Sequence, residues 1–271
     1  MVTREPLPDA DSPSRAADLR LAGEWLARHD LADARPTPLL ASRLAVRRRA
    51  RLATYVILAA LIIVSALAAT SAFGGLQPYR PLLLPALTAS LAGLLLAQSL
   101  LDRWVRRVDQ RAGATLSRRA AHPIQPGWRV VLGRPYAVFV VATFTGAMAL
   151  AASALTVPDP TVRQLAVVVL IGLLGATAIT AMQLRHLLRF PVVAEDEESL
   201  TADVLMRVED ARELTTPSVQ WSLPVVLFGT APGWWGAAAF AYIVLSLAAC
   251  VALHARTPSC AAVARQAMIV Q

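Results

Sequence analysis

Residues Leu165–Gln183 read LAVVVLIGLLGATAITAMQ, a run with no acid and no base. A helix rises 1.5 Å per residue and needs roughly 20 apolar residues to cross about 30 Å of hydrocarbon. The run therefore predicts a membrane span, and it is not alone. Windows 52–79, 81–101, 135–158 and 214–255 also lack Asp, Glu, Lys and Arg, and with 164–184 they make up half of the 271 residues. With 56% hydrophobic and 16% charged residues and a mean hydropathy of +0.52, the chain is neither disordered nor a soluble globular domain. The fold class that follows is all-α, a polytopic integral membrane helix bundle with short cytoplasmic helices.

Outward from Leu165, the spans fall at about 53–74, 82–101, 136–156 and 165–183. Gly74, Gly75, Pro78 and Pro81 break the first pair, and Val157-Pro158-Asp159-Pro160 breaks the second. The 42-residue block 214–255 is long enough for two crossings, with Ala231-Pro232-Gly233 as a turn signal in its middle. Its first half holds Thr215, Thr216, Pro217, Ser218 and Gln220. That leaves a short apolar remainder, which suits a tilted or re-entrant segment. Hairpin starts near 53, 136 and 219 lie 83 residues apart each time, which favours six spans as three hairpins; five spans with the tail outside is the alternative.

All 26 basic residues are Arg. A GC-rich genome accounts for an Arg-only, Ala-rich chain as simply as phosphate recognition does. Arg counts alternate as ten before the first span, one in the turn holding Arg80, eight from Arg103 to Arg134, one at Arg163 and four in 184–213. Basic loops stay in the cytoplasm, so the N-terminus is expected inside, in the cell membrane. The organisation is then a segment 1–52 with an amphipathic helix, hairpin 53–101, basic loop 102–135, hairpin 136–183, loop 184–217 with an acidic helix, a third hairpin or re-entrant segment plus span over 218–254, and tail 255–271.

Two amphipathic helices are expected on the cytoplasmic side. In the first, Leu19, Leu21, Ala22, Trp25 and Leu26 share one face, which either lies on the membrane or packs on the protein's own loops. The second follows an acidic run and carries an apolar face of Leu200, Val204, Leu205, Val208, Ala211 and Leu214, with Asp203, Glu209, Asp210 and Glu213 on the opposite arc. An anionic leaflet repels such a helix, so its face is expected to meet protein. Either the Arg-rich loop 103–134 or a separate cytoplasmic subunit fits, and Leu200, Val204, Leu205 and Val208 are the candidate partner-binding residues. The clusters Arg47, Arg48, Arg49, Arg51 and Arg106, Arg107 set topology and are candidate lipid head-group contacts.

The spans carry no charge, which argues against proton relays, voltage sensors and intramembrane hydrolases, since buried ionisable groups carry those mechanisms. Their polar groups are hydroxyls and amides, including Thr88, Gln98, Ser99, Thr143, Ser153, Thr177, Thr180 and Gln183. Helix packing is the plain use of such groups, and a path for a neutral solute is the alternative. Small residues recur at helical spacing, as in Gly172-x-x-x-Ala176-x-x-x-Thr180. The four histidines and two cysteines have no ligand spacing, so no metal, cofactor or catalytic residue is assigned. The expected function is a non-enzymatic membrane-spanning component of a transport, export or signalling assembly, acting through its cytoplasmic face. A stand-alone permease for a neutral or apolar solute is the alternative. Expected partners are the bilayer and either a cytoplasmic protein or a second copy of the chain, with no nucleic acid.

Overall fold

The structure is a computed structural model that describes residues 13–31, 34–71, 80–114, 127–189, 197–225, 233–257 and 262. It is helical throughout, with no strand among the described residues. The helices are α1 (Pro13–Arg28), α2 (Pro38–Ser71), α3 (Arg80–Ala114), α4 (Trp128–Val131), α5 (Gly133–Ser153), α6 (Pro160–Arg189), α7 (Glu197–Thr215), α8 (Val219–Ser222) and α9 (Trp234–Arg256). A 3-10 turn, Ala154–Thr156, follows α5. Five of these helices, α2, α3, α5, α6 and α9, are long and apolar enough to cross a membrane, as in a multi-pass membrane protein. The expected breaks at Gly74, Gly75 and Pro78, the loop section holding Arg118 and Arg119, the turn at Ala231-Pro232, and Cys260 all lie outside the described residues.

The apolar core is built around α6. Leu165, Ala166, Val169, Leu173 and Ala176 pack with Leu61 of α2, Leu87 and Leu91 of α3, Phe144 and Ala147 of α5, and Ala239 of α9. The outward faces are equally apolar: Val56, Ile63, Val138, Ile171 and Leu245 are all exposed, as a surface bathed in hydrocarbon requires. Small residues set the spacing, because lipid tails supply no hydrophobic drive and dispersion works only at close range. A Cβ on Gly172 would fall 2.5 Å from Leu91 Cδ2, and one on Gly175 2.8 Å from Leu95 Cδ1. On α5, Gly146 lies against the Tyr242 ring of α9, whose hydroxyl donates to the Thr143 carbonyl at 2.8 Å.

Most of the charged residues gather at one end, with Asp159 and Arg163 at the other. Arg43 and Arg47, early in α2, meet Asp109, late in α3. The start of α5 and the end of α9 also lie there, joined through the Tyr136 and Thr257 hydroxyls at 3.2 Å. At the far end the Trp235 indole, at the start of α9, donates to Ser153 Oγ at the end of α5. Gly233 precedes α9 with φ +71, a backbone that glycine adopts without penalty.

α2 begins well before the apolar stretch near residue 53. Thr37 Oγ1 accepts from the Leu40 N–H at 3.2 Å and Pro38 takes the first helical position, an arrangement that starts a helix cleanly. The residues around Arg35-Pro36-Thr37-Pro38 thus launch a helix, and the basic cluster rides on it in continuous register with the span. α1 packs on α2.

Candidate functional site

Arg43, Arg47 and Arg51 recur every four residues along α2 and so form one stripe. α7 presents Asp203, Asp210 and Glu213 to it. Asp203, fully buried, accepts from Arg43 Nη2 at 2.5 Å and from Arg207 Nε at 2.8 Å. Arg47 donates to Asp210 at 2.9 Å and holds Asp109 through two nitrogens at 3.2 and 2.9 Å. Two-pronged pairing of this kind fixes orientation as well as charge. Arg51 Nε lies 2.6 Å from Glu213 Oε2. Burial holds the Glu213 carboxyl above the ordinary glutamate range, and neighbouring Asp210 and Glu209 add to this against the pull of Arg51. On the other flank the Trp25 indole donates to Glu209 at 3.2 Å, and His29 Nε2 lies 2.9 Å from the same carboxylate.

This arrangement places the candidate partner-binding face of α7. Leu200, Val204, Leu205 and Val208 are all buried within the chain. Val204 and Leu205, with Ala202 and Met206, pack on Trp25 and Leu26 of α1 and are flanked by Leu40 and Leu44 of α2. α1 accordingly covers α7. The arginines that neutralise α7 come from α2, where loop 103–134 was expected; the acid Asp109 is that loop's contribution to the network. Of the candidate head-group arginines, Arg47, Arg51 and Arg106 turn inward, Arg106 pairing with Asp102, whereas Arg48, Arg49 and Arg107 are exposed.

Beneath the ionic layer a cavity of about 240 Å³ runs between α2, α3 and α6, with α7, α8 and the residues joining them on its remaining side. It follows α6 from Leu187 to Ala176, roughly 16 Å at 1.5 Å per residue, whereas on α2 and α3 it reaches Thr54 and Gln98, about one turn past Arg51 and Asp102. Around its mouth stand Arg47, Arg51 and Arg106 with Asp102, Asp109, Asp210 and Glu213, and His186 beside them. Deeper, the lining changes to Thr54, Gln98, Thr180, Gln183 and Gln220, with Phe144, Ala176 and Val219 as apolar wall. One turn past Ala176 the space closes, where Leu91 and Leu223 fill the groove left by Gly172.

The polar side chains of the spans are used differently, and Ser65, buried without a partner for its hydroxyl among the described residues, lies apart from the cavity. Thr88, Ser99, Thr143, Ser153 and Thr177 donate to carbonyls three or four residues back in their own helices, which is the packing use expected of them. The side chains of Gln98, Thr180, Gln183 and Gln220 make no hydrogen bond to the described residues and line the cavity instead. Gln220 is the extreme case, being 4% exposed. An amide this buried is costly to leave unmatched, by about 1–3 kcal/mol, so its atoms are placed for water or a solute.

Gln220 and Thr54 were not singled out by the sequence. Gln220 belongs to the polar opening of the last apolar block, which signals a broken span without indicating where the side chain points. Its position follows from the chain path. After α7 the chain turns into the bundle, where the Trp221 indole donates to Ser246 Oγ, mid-way along α9, at 2.7 Å and Leu223 reaches Gly172. Among the described residues no group of three His, Cys, Asp or Glu is placed to hold a metal ion. Comparison with protein-family models, curated proteins and solved structures finds no match to this chain.

Proposed function

We propose that the chain is a permease for a small neutral solute in the cell membrane, with its charged layer in the cytoplasm and its cavity open to that side. The observation that carries this reading is the cavity itself: it extends from the charged layer into the apolar bundle as far as Ala176 of α6 and is lined below that layer by amides and hydroxyls whose side chains find no hydrogen-bond partner among the described residues. A permeant needs a polar path with no charge to trap it, and the packed layer at Leu91, Gly172 and Leu223 would be the closed side of such a path. We further read six crossings as three hairpins. In support, α7 lies at the charged end, Leu223 reaches Gly172 within the bundle, and Trp235 of α9 lies beside Ser153 at the far end. The Arg distribution supports a cytoplasmic N-terminus.

The test is solute entry into proteoliposomes, followed by stopped-flow light scattering. Glycerol, urea, acetamide and benzamide form the panel, and empty liposomes the control. Faster entry of at least one supports a permease, and entry no faster than in the control for all four refutes it. The second reading, a membrane-spanning component of a transport, export or signalling assembly, draws on a different observation: Arg48, Arg49 and Arg107 stay on the surface while their neighbours are spent on internal pairs. A stoichiometric acidic protein co-purifying in mild detergent and lost on Arg48→Glu/Arg49→Glu would favour it.

A further inference from the structure

Resting on the reading of the cavity as a solute site, we propose that it selects molecules with a small apolar body and one neutral carboxamide or urea-type group, with Gln220, Gln98 and Gln183 as the recognising amides. The three stand on three different helical segments yet border one space, and none of their side chains has a hydrogen-bond partner among the described residues. A primary amide offers a donor and an acceptor side by side, and its natural complement is another group with the same pair. A carboxylate supplies acceptors only and an ammonium donors only, so either would leave half of each glutamine unmatched by the solute. A lone hydroxyl offers both through a single atom and cannot span the pair. Around the mouth, three arginines face four carboxylates, so the summed charge there does not favour an anion. The apolar body has its own seat, because Phe144, Ala176 and Val219 are all buried around the same space. A cavity of about 150 Å³ accepts benzene, so 240 Å³ is room for a ring with one substituent.

The experiment is calorimetric titration of the full chain in nanodiscs, with empty nanodiscs subtracted, using four probes of one shape: benzamide, benzoate, benzylamine and benzyl alcohol. Benzamide is expected to bind at least about tenfold more tightly than each of the others, and Gln220→Leu to weaken it by about tenfold or more, as the loss of matched hydrogen bonds in a buried site implies. Gln183→Leu, on a different helix, should act in the same direction and covers the case in which Gln220→Leu fails to fold. Tighter binding of benzoate or benzylamine, equal binding of all four, or benzamide affinity unchanged in the variants overturns the proposal. Flux separates it from the permease reading. Benzamide bound without accelerated entry into proteoliposomes leaves the recognition standing and removes transport, whereas accelerated entry of solutes with no amide preference does the reverse.

Discussion

Asp203 is a carboxylate with no exposure, held between Arg43 of α2 and Arg207 of its own helix. Asp203→Ala removes the negative charge and leaves two guanidinium groups in a setting that is 12% and 10% exposed for their side chains. Removing one partner of a buried pair costs about 3–5 kcal/mol, because the remaining charge is desolvated and uncompensated. Here the loss is cushioned: Arg43 keeps Asp109 at 3.0 Å, and Arg207 keeps the Leu187 carbonyl at 3.2 Å. The expected value is therefore near the lower end, about 3 kcal/mol, a large share of a marginal stability. Reversible unfolding in mixed micelles by sodium dodecyl sulfate, read by tryptophan fluorescence, measures it. The triple replacement Asp203→Leu/Arg43→Met/Arg207→Met is the decisive companion, since exchanging a whole buried ionic cluster for packed apolar groups is often neutral or stabilising. The single change should cost far more than the triple. A single variant within about 1 kcal/mol of wild type, or a triple as damaged as the single, would refute the claim that uncompensated charge governs this contact.

Leu205→Glu buries a charge against Trp25 and Leu26 and should unfold the α1–α7 layer, releasing α1 to added protease. An intact α1 in that variant contradicts the packing. Gly172→Leu pushes side-chain atoms where a Cβ alone meets Leu91 at 2.5 Å and Leu223 at 3.1 Å. Overpacking of this kind costs about 1–3 kcal/mol, seen as a lowered unfolding midpoint, with Gly172→Ala milder because the leucine tip can swing away. For Glu213 the sign follows from a carboxyl raised above its unfolded value. Its contribution is complete below the ordinary glutamate pKa of about 4.3 and is lost as pH rises through the raised folded value. Wild type should therefore lose stability relative to Glu213→Gln as pH rises above about 4 in thermal scans, and a difference that moves the other way rejects the assignment.

The apolar helices were legible because composition alone dictates them: a run such as Leu165–Gln183 has one stable form in hydrocarbon. The acidic helix was legible as a helix, but its partner was not. Asp203, Asp210 and Glu213 were expected on the arc opposite the apolar face, with the Arg-rich loop 103–134 or a separate subunit as the partner of the helix, yet the structure buries Asp203 completely and ties all three to α2. The signal was present, since Arg43, Arg47 and Arg51 are spaced to form one face. The difficulty is that arginines beside a span also satisfy the topology rule, and period alone does not say which role they take. The cavity was half legible. Gln98, Thr180 and Gln183 were visible as polar groups in spans, but Thr88 and Thr177 look the same in sequence and satisfy themselves on their own backbone. Whether a hydroxyl or amide bonds locally or faces open space is decided by which helix lies opposite.

Thr216, Pro217 and Ser218 are all that joins α7 to α8, and this short tether has a mechanical meaning. Seven positions separate Glu213, gripped by Arg51, from Gln220, the most enclosed amide. So little slack means that any sliding of the acidic helix along its arginine rail tows Gln220 with it, and the innermost chamber would be remoulded by events at the membrane's aqueous edge.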